Sequence, residues 1–389
     1  MGASVLANSK NLKLAPPENL QEIIYTEANA YFDGIIKAIN HAEESVDLEV
    51  YIFDNDDLSK RIVKALIQAT ERNVKVRVLV DGVGACIDFY HIASQLLAAG
   101  AEVKIFHPLP WHIEQWRLSL THSKGLEKLL HLLTSINKRD HRKLILIDHR
   151  SVWLGSFNIS HKHLPKKNNG EHWRDTAIEI KGINLDALHI AFDSCWYKWS
   201  KKQTVLYLPQ TPFMFNFTRP LRIEQRNRLL TRIQEANEKI WITNAYFIPD
   251  KHLLEALAHA SYRGIDVRIL LPRTSDIFFI PWASAYFYAR LLKSGTRIFE
   301  FQNRVLHAKT LIIDGWAVIG SSNLNRRSLH HDLELDYSLQ LIESKEELSR
   351  NFKKDLKESE ELDAKTFEQT RIWQRILGGI LVFLLARWV

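Results

Sequence analysis

Two stretches of the chain, "HRKLILIDHRSVWLGSFN" at residues 141–158 and "HAKTLIIDGWAVIGSSN" at residues 307–323, repeat a single pattern. In each, a His and a Lys two residues apart precede an aliphatic run that ends at an Asp, and Gly-Ser-x-Asn follows. A short apolar run between polar ends is typical of a buried strand. The repetition therefore predicts a chain built from two similar halves.

Other segments repeat around these motifs, and each is a helix end that runs into an alternating or apolar strand. The pairs are "AEESVDLEVYIFDND" from residue 42 with "ANEKIWITNAYFIPD" from 236, "ATERNVKVRVLVDG" from 69 with "ASYRGIDVRILLPR" from 260, and "LLAAGAEVKIF" from 96 with "LLKSGTRIFEF" from 291. Each half is thus predicted as β-α-β-α-β followed by a hairpin, which is a layered α/β unit.

The halves differ in length before the motif. We place the first half at residues 1–207 and the second at 208–370, since prolines and weak helical periodicity mark residues 200–220. Phe106 corresponds to Phe301 at an offset of 195, whereas the motif histidines correspond at 166, so the first half holds 29 extra residues. These begin with "HPLPWHIEQWRLSL" from residue 107, and we expect a pocket wall or lid there.

The repeated His and Lys are two residues apart, so in a strand they project from the same face. This pairs His141 with Lys143, and His307 with Lys309. The motif Asp lies seven residues after each His and points away, so it is better placed to fix the following turn than to touch substrate. Asp148 and Asp314 are counted with the catalytic motif on sequence grounds. The candidate donors to a substrate phosphate, or supports of the site, are Ser156, Asn158, Ser321 and Asn323.

If the halves pack about a pseudo-twofold axis, both His-Lys pairs meet in one pocket that suits a phosphodiester. The ammonium groups would neutralise the non-bridging oxygens and the charge of the transition state without a metal. One imidazole can attack phosphorus, and the other can protonate the leaving oxygen. Each imidazole needs an acceptor at its second nitrogen, and Asp175 and Glu334 are the candidates. A single His-x-Lys is typical of a solvated strand end, and only the duplication predicts a site.

Composition limits the partners. The chain has 389 residues, of which 46% are hydrophobic and 25% charged, as in a globular protein. A net charge of +7 favours anionic partners such as phospholipid headgroups or nucleic acid. Two cysteines do not make a disulfide framework. We find no metal or cofactor motif, and the loop "HKHLPKKNNGEHW" at residues 161–173 is interpreted as a basic, solvated rim rather than a metal cluster.

The C-terminal segment carries an uninterrupted apolar run, "ILGGILVFLLA", at residues 376–386. As a helix it would be about 16 Å long, too short for a hydrocarbon core of about 30 Å. Trp and Arg stand on both sides of it, as in elements that lie in a membrane interface. We expect residues 371–389 to contact a membrane, the alternative being a helix docked on the protein itself. The aromatic stretch 277–292 is either core or a lipid-facing wall.

The twin motifs are similar to those of the phospholipase D superfamily. Within it, "NAYFIPD" (244–250), "RGIDVRILLP" (263–272) and the second motif resemble bacterial cardiolipin synthases of the shorter type without N-terminal membrane helices, over about residues 20–345. The resemblance implies an α/β fold of two pseudo-symmetric phospholipase D-like halves, with mixed sheets packed around one shared active site. It also implies that His141 is the nucleophile and His307 the general acid and base. Asp332 stands where the family has Asn.

The activity implied is transfer of a phosphatidyl group from phosphatidylglycerol, or another phospholipid, to the hydroxyl of a second phosphatidylglycerol, giving cardiolipin without a cofactor. The implied partners are phospholipids and an anionic membrane surface rather than nucleic acid, and the implied location is the cell (inner) membrane, peripheral or monotopic. Two alternatives remain open. A phospholipase D or nuclease would use water as the acceptor, and a scaffold would bind membranes without catalysis. The sequence predicts no oligomeric state.

Overall fold

The computed structural model describes residues 16–85, 89–109, 111–118, 138–197, 211–370 and 372–385. They form two sheets of seven and eight strands with helices around them. The first sheet consists of β1 (Gln21–Tyr25), β2 (Ser45–Val50), β3 (Lys75–Asp81), β4 (Glu102–Phe106), β5 (Leu144–Ile147), β6 (Ser151–Gly155) and β7 (Ala177–Lys181). The second consists of β8 (Phe213–Phe215), β9 (Lys239–Thr243), β10 (Asp266–Pro272), β11 (Arg297–Phe301), β12 (Thr310–Ile313), β13 (Trp316–Gly320), β14 (Leu335–Ser338) and β15 (Ser359–Glu361).

Both sheets are mixed, and they share one topology. Strands β2, β3 and β4 are parallel, and the β5–β6 hairpin with β7 extends the sheet antiparallel beside β2. Strands β9, β10 and β11 are likewise parallel, with the β12–β13 hairpin and β14 beside β9. The predicted α/β fold of two pseudo-symmetric halves is confirmed. Each half has the expected β-α-β-α-β order before its hairpin.

The first three helices of each half cover the outer face of its sheet. In the first half these are α1 (Ala28–Asn40), α2 (Asp57–Glu71) and α3 (Phe89–Ala98), followed by α4 (Ile113–Arg117), 3-10 turns at His161–His163 and Lys166–Asn168, and α5 (Asp186–Trp196). In the second half they are α6 (Arg219–Glu235), α7 (Lys251–Tyr262) and α8 (Ile280–Lys293), followed by α9 (Arg326–His330) and α10 (Ile342–Lys357). Two separate apolar clusters fill these helix–sheet layers.

A third apolar cluster joins the halves. It combines inward side chains of both hairpins, such as Leu146 and Ile312, with Phe192 of α5 and Phe352 of α10. Strands β5 and β12 are therefore covered on both faces, which explains why their sequences are continuous aliphatic runs. The motif histidines directly precede the strands of this shared core, so the packing of the halves fixes their relative position.

The boundary expected at residues 207 and 208 lies outside the described residues. Of the 29-residue insertion only the ends are described, since residues 119–137 lie outside that set. Helix α4 belongs to it: Trp111 is exposed, and the Trp116 indole donates to the carbonyl of Leu109 over 3.0 Å. A wall or lid formed by this insertion stays a prediction.

The C-terminal segment forms α11 (Ala364–Thr370) and α12 (Ile372–Leu385), and α12 packs along α8. Two glycines allow this close approach. A Cβ at Gly378 would lie 2.1 Å from the carbonyl oxygen of Trp282, and one at Gly379 would lie 3.1 Å from the ring of Tyr286. The aromatic stretch around α8 is thus core on one side and covered in part by α12 on the other. Among the described helices, none combines the length and the apolar character needed to cross a bilayer.

Candidate active site

Each motif histidine is held by backbone hydrogen bonds to the opposite half. The His141 amide donates to the carbonyl of Leu333 over 2.9 Å, and the His307 amide donates to the carbonyl of Arg174 over 2.8 Å. Isolated parallel bridges, one from each half to the other, accompany both contacts. The residues that follow Leu333 and Arg174 in the chain are the two candidate carboxylates. They are thereby placed beside the histidine of the other half.

The two imidazoles are paired with carboxylates across the interface between the halves. His141 Nδ1 lies 3.1 Å from Glu334 Oε2, and His307 Nδ1 lies 2.8 Å from Asp175 Oδ1. All four side chains are buried. A carboxylate at Nδ1 fixes the tautomer that carries its proton there, which leaves the Nε2 lone pair free to face a substrate. Asp175 and Glu334 were the predicted acceptors, and the structure adds that the pairing crosses between halves.

The two lysines complete the pocket and are buried. Lys143 Nζ donates to the carbonyl of His141 over 2.7 Å, and Lys309 Nζ donates to the carbonyl of His307. Burial lowers the pKa of Lys143 to about 7 and that of Lys309 to about 8. An anionic phosphate between them would restore their charge, because an opposite charge favours the protonated form. Besides burial, the charges of Lys143, Lys309 and His307 lower the pKa of His141, so the two motifs lie close enough to interact in one site.

Two tyrosines that our sequence analysis missed stand beside this pocket. The Tyr51 ring lies 4.9 Å from the ring of His141, with Lys143 Nζ 5.2 Å from its centroid. Tyr246 lies 6.1 Å from His307, with Lys309 Nζ 5.8 Å from its centroid. In the aligned repeats the tyrosines lie one position apart, since Tyr246 corresponds to Ile52, and the available signal was only that each repeat carries a tyrosine just after its strand.

The serines of the Gly-Ser-x-Asn sequences support the carboxylates. Ser156 Oγ donates to Asp175 Oδ1 over 2.6 Å, and Ser321 Oγ donates to Glu334 Oε2 over 2.5 Å. Their hydroxyl protons are therefore already used, which argues against the predicted donation to a substrate phosphate and leaves support as their role.

The asparagines of the same sequences tie the site to the strands beside it. Asn158 Oδ1 accepts from the amide of Ile52, and Asn323 Oδ1 accepts from the amide of Tyr246, both over 3.2 Å. Among the described residues the Nδ2 groups of both asparagines have no hydrogen-bond partner. They are thus available as donors to a phosphate.

The motif aspartates lie away from the pocket, at the far ends of β5 and β12. Asp148 accepts from the backbone amides of residues 43–45 at 2.8–3.2 Å. Asp314 accepts from those of residues 237–239, each at 3.0 Å. They therefore fix the loops that lead into β2 and β9, not the turns that follow them as expected. This position gives them a structural role, and their membership of the catalytic group stays a prediction.

His163 belongs to the site, although its basic loop was interpreted as a solvated rim. The 3-10 turn at His161–His163 directs it inward, and only 1% of it is exposed. Its Nδ1 lies 2.7 Å from Asp175 Oδ2, and its Nε2 accepts from the backbone amide of Asn158 over 3.2 Å. Asp175 thus contacts two imidazoles, from His163 and His307. The available signal was its position five residues after Asn158, which Ser328 shares relative to Asn323.

The two histidine–carboxylate pairs differ in charge. Burial and the nearby lysines hold the pKa of His141 well below its usual value, and burial raises the pKa of Glu334 to about 7. Burial alone would raise the pKa of Asp175 too, but His307 and His163 hold it well below the usual value. Burial and Lys309 lower the pKa of His307 as well, but the ionised Asp175 opposes them, so His307 takes a proton more readily than His141, whose pKa is held well below its usual value. This asymmetry suits a nucleophile at His141 and an acid at His307.

A second buried cluster adjoins the pocket. Glu49, Asp140 and Cys195 are the described residues whose ligand atoms lie close enough for a metal ion. The Arg142 guanidinium lies among them, 2.5 Å from Glu49, 3.1 Å from Asp140 and 2.9 Å from the sulfur. A cation therefore already occupies the position that a metal would take.

Asp332, where the family has Asn, pairs with Arg327 over 2.8 Å.

Known proteins are similar to this chain in sequence and in fold. A family model described as "Cardiolipin synthase, PLD-like domain" matches residues 35–185 and 229–356. A cardiolipin synthase of Clostridium perfringens is 31% identical over 375 residues, which cover 92% of this chain and 75% of the relative. The major cardiolipin synthase ClsA of Bacillus subtilis is 30% identical over 370 residues, which cover 92% of this chain and 73% of the relative.

The crystal structure of phosphatidylserine synthase from Haemophilus influenzae has a similar fold, with a TM-score of 0.71 at 15% identity over 97% of this chain and 96% of that one. The polyphosphate kinase of Porphyromonas gingivalis matches with a TM-score of 0.59 at 12% identity, over 89% of this chain and 49% of that one. These likenesses concern the fold alone. Because the family model matches well over half of the chain and includes both histidine motifs, the chain belongs to the cardiolipin synthase family with phospholipase D-like domains, and it is an enzyme of the phospholipase D superfamily.

Proposed function

We propose that this enzyme is a cardiolipin synthase that joins two phosphatidylglycerol molecules through a phosphohistidine intermediate. The observation that carries the proposal is the crossed pairing of His141 with Glu334 and of His307 with Asp175. It leaves two Nε2 atoms in one pocket with two buried lysines. That set can attack a phosphodiester from one side and protonate the leaving oxygen on the other.

In the first step the neutral Nε2 of His141 attacks the phosphorus of one phosphatidylglycerol. The bond from phosphorus to the headgroup glycerol oxygen breaks, and His307 gives that oxygen its Nε2 proton, so free glycerol leaves. Lys143, Lys309 and the side-chain amides of Asn158 and Asn323 neutralise the non-bridging oxygens as charge develops. The phosphatidyl group is then bound to His141.

In the second step a headgroup hydroxyl of another phosphatidylglycerol gives its proton to His307, which the first step left neutral. Its oxygen attacks the phosphorus, the bond to His141 Nε2 breaks, and cardiolipin leaves. The net reaction turns two phosphatidylglycerols into cardiolipin and glycerol. Both histidines return to their starting protonation states.

Because both substrates are bilayer lipids, we further propose that residues 371–389 hold the enzyme on the membrane as a peripheral or monotopic protein. Helix α12 docks on α8 through Gly378 and Gly379, while its other side exposes large apolar side chains. These are Trp373, Ile376, Leu377, Ile380 and Phe383. A surface of this kind is typical of an element that lies in the headgroup region.

The decisive experiment incubates the purified enzyme with phosphatidylglycerol vesicles and separates the lipids and the released glycerol. We expect cardiolipin and glycerol in equal amounts, and neither from the His141→Ala variant. Phosphatidic acid without cardiolipin would instead identify a phospholipase D that uses water. Turnover of a single-stranded DNA oligonucleotide, with none of the lipid, would identify a nuclease. If the His141→Ala variant turned over lipid at the wild-type rate, the protein would be a membrane-binding scaffold and the activity would come from a contaminating enzyme.

A further inference from the structure

The two carboxylates that hold the catalytic histidines differ in length, and so do the residues that brace them. Glu334 Oε1 accepts from Ser328 Oγ over 2.5 Å, whereas Asp175 Oδ2 accepts from His163 Nδ1 over 2.7 Å. The two bracing residues occupy the same position in the repeat. The shorter acid, Asp175, is therefore matched with the longer bracing side chain, His163. The longer acid, Glu334, is matched with the shorter one, Ser328.

Both bracing side chains accept a hydrogen bond from the backbone amide at the same position of the repeat. The amide of Asn158 donates to His163 Nε2, and the amide of Asn323 donates to Ser328 Oγ, each over 3.2 Å. In each half an unbroken series of hydrogen bonds thus runs from a backbone amide through the bracing side chain and the carboxylate to the histidine of the other half. The two series have the same order of groups, although their residues differ.

The protonation state of His163 follows from this geometry. A backbone amide can only donate, so Nε2 of His163 must present a lone pair, and its proton must lie on Nδ1. His163 is therefore a neutral donor to Asp175, as the hydroxyl of Ser328 is to Glu334. The negative charge of Asp175 remains directed at His307. The rings around His163 are those of Phe157, Trp173 and His307, with centroids at 5.3, 5.5 and 6.3 Å.

We propose that brace and carboxylate form a matched pair of constant combined length that positions the histidine of the opposite half, and that His163 is the positioning residue for His307. The imidazole spans from Nε2 to Nδ1, which compensates for the methylene that Asp175 lacks relative to Glu334. This inference rests on the proposed function in one respect, that proton transfer by His307 limits turnover.

The test is a pair of single variants and their combination. His163→Ser leaves Asp175 Oδ2 without its donor, and Asp175→Glu pushes a longer acid against the intact imidazole. We expect each to lower kcat per folded enzyme by about 10- to 100-fold, the effect typical of losing a hydrogen bond to a charged group. The double variant H163S/D175E copies the Ser328–Glu334 pair into the first half. We expect it to recover at least about tenfold over the better single variant.

The matched control makes the reverse exchange in the second half, S328H/E334D, and the same recovery over its two single variants is expected. Thermal melting of every variant gives the folded fraction by which kcat is normalised. Losses that simply multiply in both double variants would overturn the proposal. So would a recovery of melting temperature without recovery of kcat, because that result identifies His163 as a packing residue.

The assay is run in parallel with phosphatidylglycerol vesicles and with bis(p-nitrophenyl) phosphate, a small phosphodiester. Turnover of the small ester still needs His307 to activate the water that releases His141. Wild-type enzyme that cleaves the ester but makes no cardiolipin would refute the proposed lipid function, while the recovery by the double variant would still be measured. The two ideas can therefore fail separately.

Discussion

His307 Nδ1 lies 2.8 Å from Asp175 Oδ1, a carboxylate that belongs to the other half of the chain, and His141 has the same relation to Glu334 at 3.1 Å. Neither half therefore contains a complete pair of histidine and acid. The site exists only because the apolar core between the sheets holds the halves together. The two similar halves thus supply two pairs that can take different roles in one reaction.

The role of Asp175 can be tested through the leaving group. Asp175→Asn removes the anion that stabilises the imidazolium of His307, and we expect release of glycerol from phosphatidylglycerol to slow by about 10²- to 10³-fold, within the range of general acid catalysis. A phosphatidyl ester of p-nitrophenol should be affected less than tenfold in its first turnover, because nitrophenolate leaves without a proton. Burst kinetics measure that step. Equal losses with both donors would contradict an acid at His307.

The intermediate can be trapped. In His307→Asn the group that activates the acceptor is gone, so a p-nitrophenyl donor should load His141 and the enzyme should stop there. We expect about one phosphatidyl group per chain, on a linkage that is labile in acid and stable in alkali, located at His141 by mass spectrometry. His141→Asn is the matched control and should carry no label. A labelled His141→Asn variant would place the nucleophile elsewhere.

The pH dependence of kcat/KM should reflect the buried lysines. Their ammonium groups must be protonated to bind a phosphodiester, and burial lowers the pKa of Lys143 to about 7 and that of Lys309 to about 8. Activity should therefore fall as the pH rises to 8, first because His307, whose pKa burial and Lys309 lower, loses the proton that it gives to the leaving oxygen, and then because the lysines lose theirs. An ordinary lysine would stay charged to about pH 10. On the acid side, activity should persist below pH 6.5 because His141 becomes protonated only well below that value.

Lys309→Arg provides the check on this assignment. Arginine stays protonated throughout the accessible range, so the alkaline decline near pH 8 should weaken in the variant even if its maximum rate is lower. A wild-type profile that stays flat to pH 10 would show that neither lysine limits activity.

The sequence predicted the two halves, the order of helices and strands along each half and both histidine–lysine pairs, because strand periodicity and repetition are local properties of the chain. It also indicated Asp175 and Glu334 as acceptors. It could not show that each serves the opposite half, since that depends on how two sheets pack. A period of two assigns residues to a face of a strand and leaves open what that face meets.

Two local features were misjudged for identifiable reasons. His163 stands among lysines and asparagines, so its loop was interpreted as solvated, yet a single 3-10 turn buries it against Asp175. Asp148 and Asp314 were expected to fix the turns after their strands. Both have positive φ, 53° and 49°, and their carboxylates meet the amides of the loops before β2 and β9. Backbone conformation of this kind has no signature in a strand pattern.

Asp148 should contribute to stability rather than chemistry. We expect Asp148→Asn to lower the free energy of unfolding by about 1–3 kcal/mol at pH 7, since it weakens hydrogen bonds to a charged acceptor, while kcat per folded enzyme changes less than tenfold. Backbone donors hold the pKa of this carboxyl below its usual value, opposing burial. Its contribution is therefore present above about pH 4, the pKa of an unfolded Asp, and is lost as the pH falls through the folded value.

Urea unfolding at pH 7 and pH 3 measures this effect, and Asp314→Asn is the matched variant in the second half. The difference from wild type should be smaller at pH 3 for both. A loss of activity above 100-fold with unchanged stability would return Asp148 to the catalytic group.

Membrane attachment can be tested on the exposed side of α12. Trp373 and Phe383 are 72% and 81% exposed, and neither supports the contact with α8 made by Gly378 and Gly379. Burial of an aromatic side chain in a membrane interface contributes on the order of 1.5–3 kcal/mol. The variant W373D/F383D should therefore bind anionic vesicles at least tenfold more weakly in flotation. Ile342 is 68% exposed at the start of α10, and Ile342→Asp controls for the loss of an exposed apolar residue. Equal binding by both variants and wild type would mean that α12 only covers α8, and that the enzyme reaches its lipids through another surface.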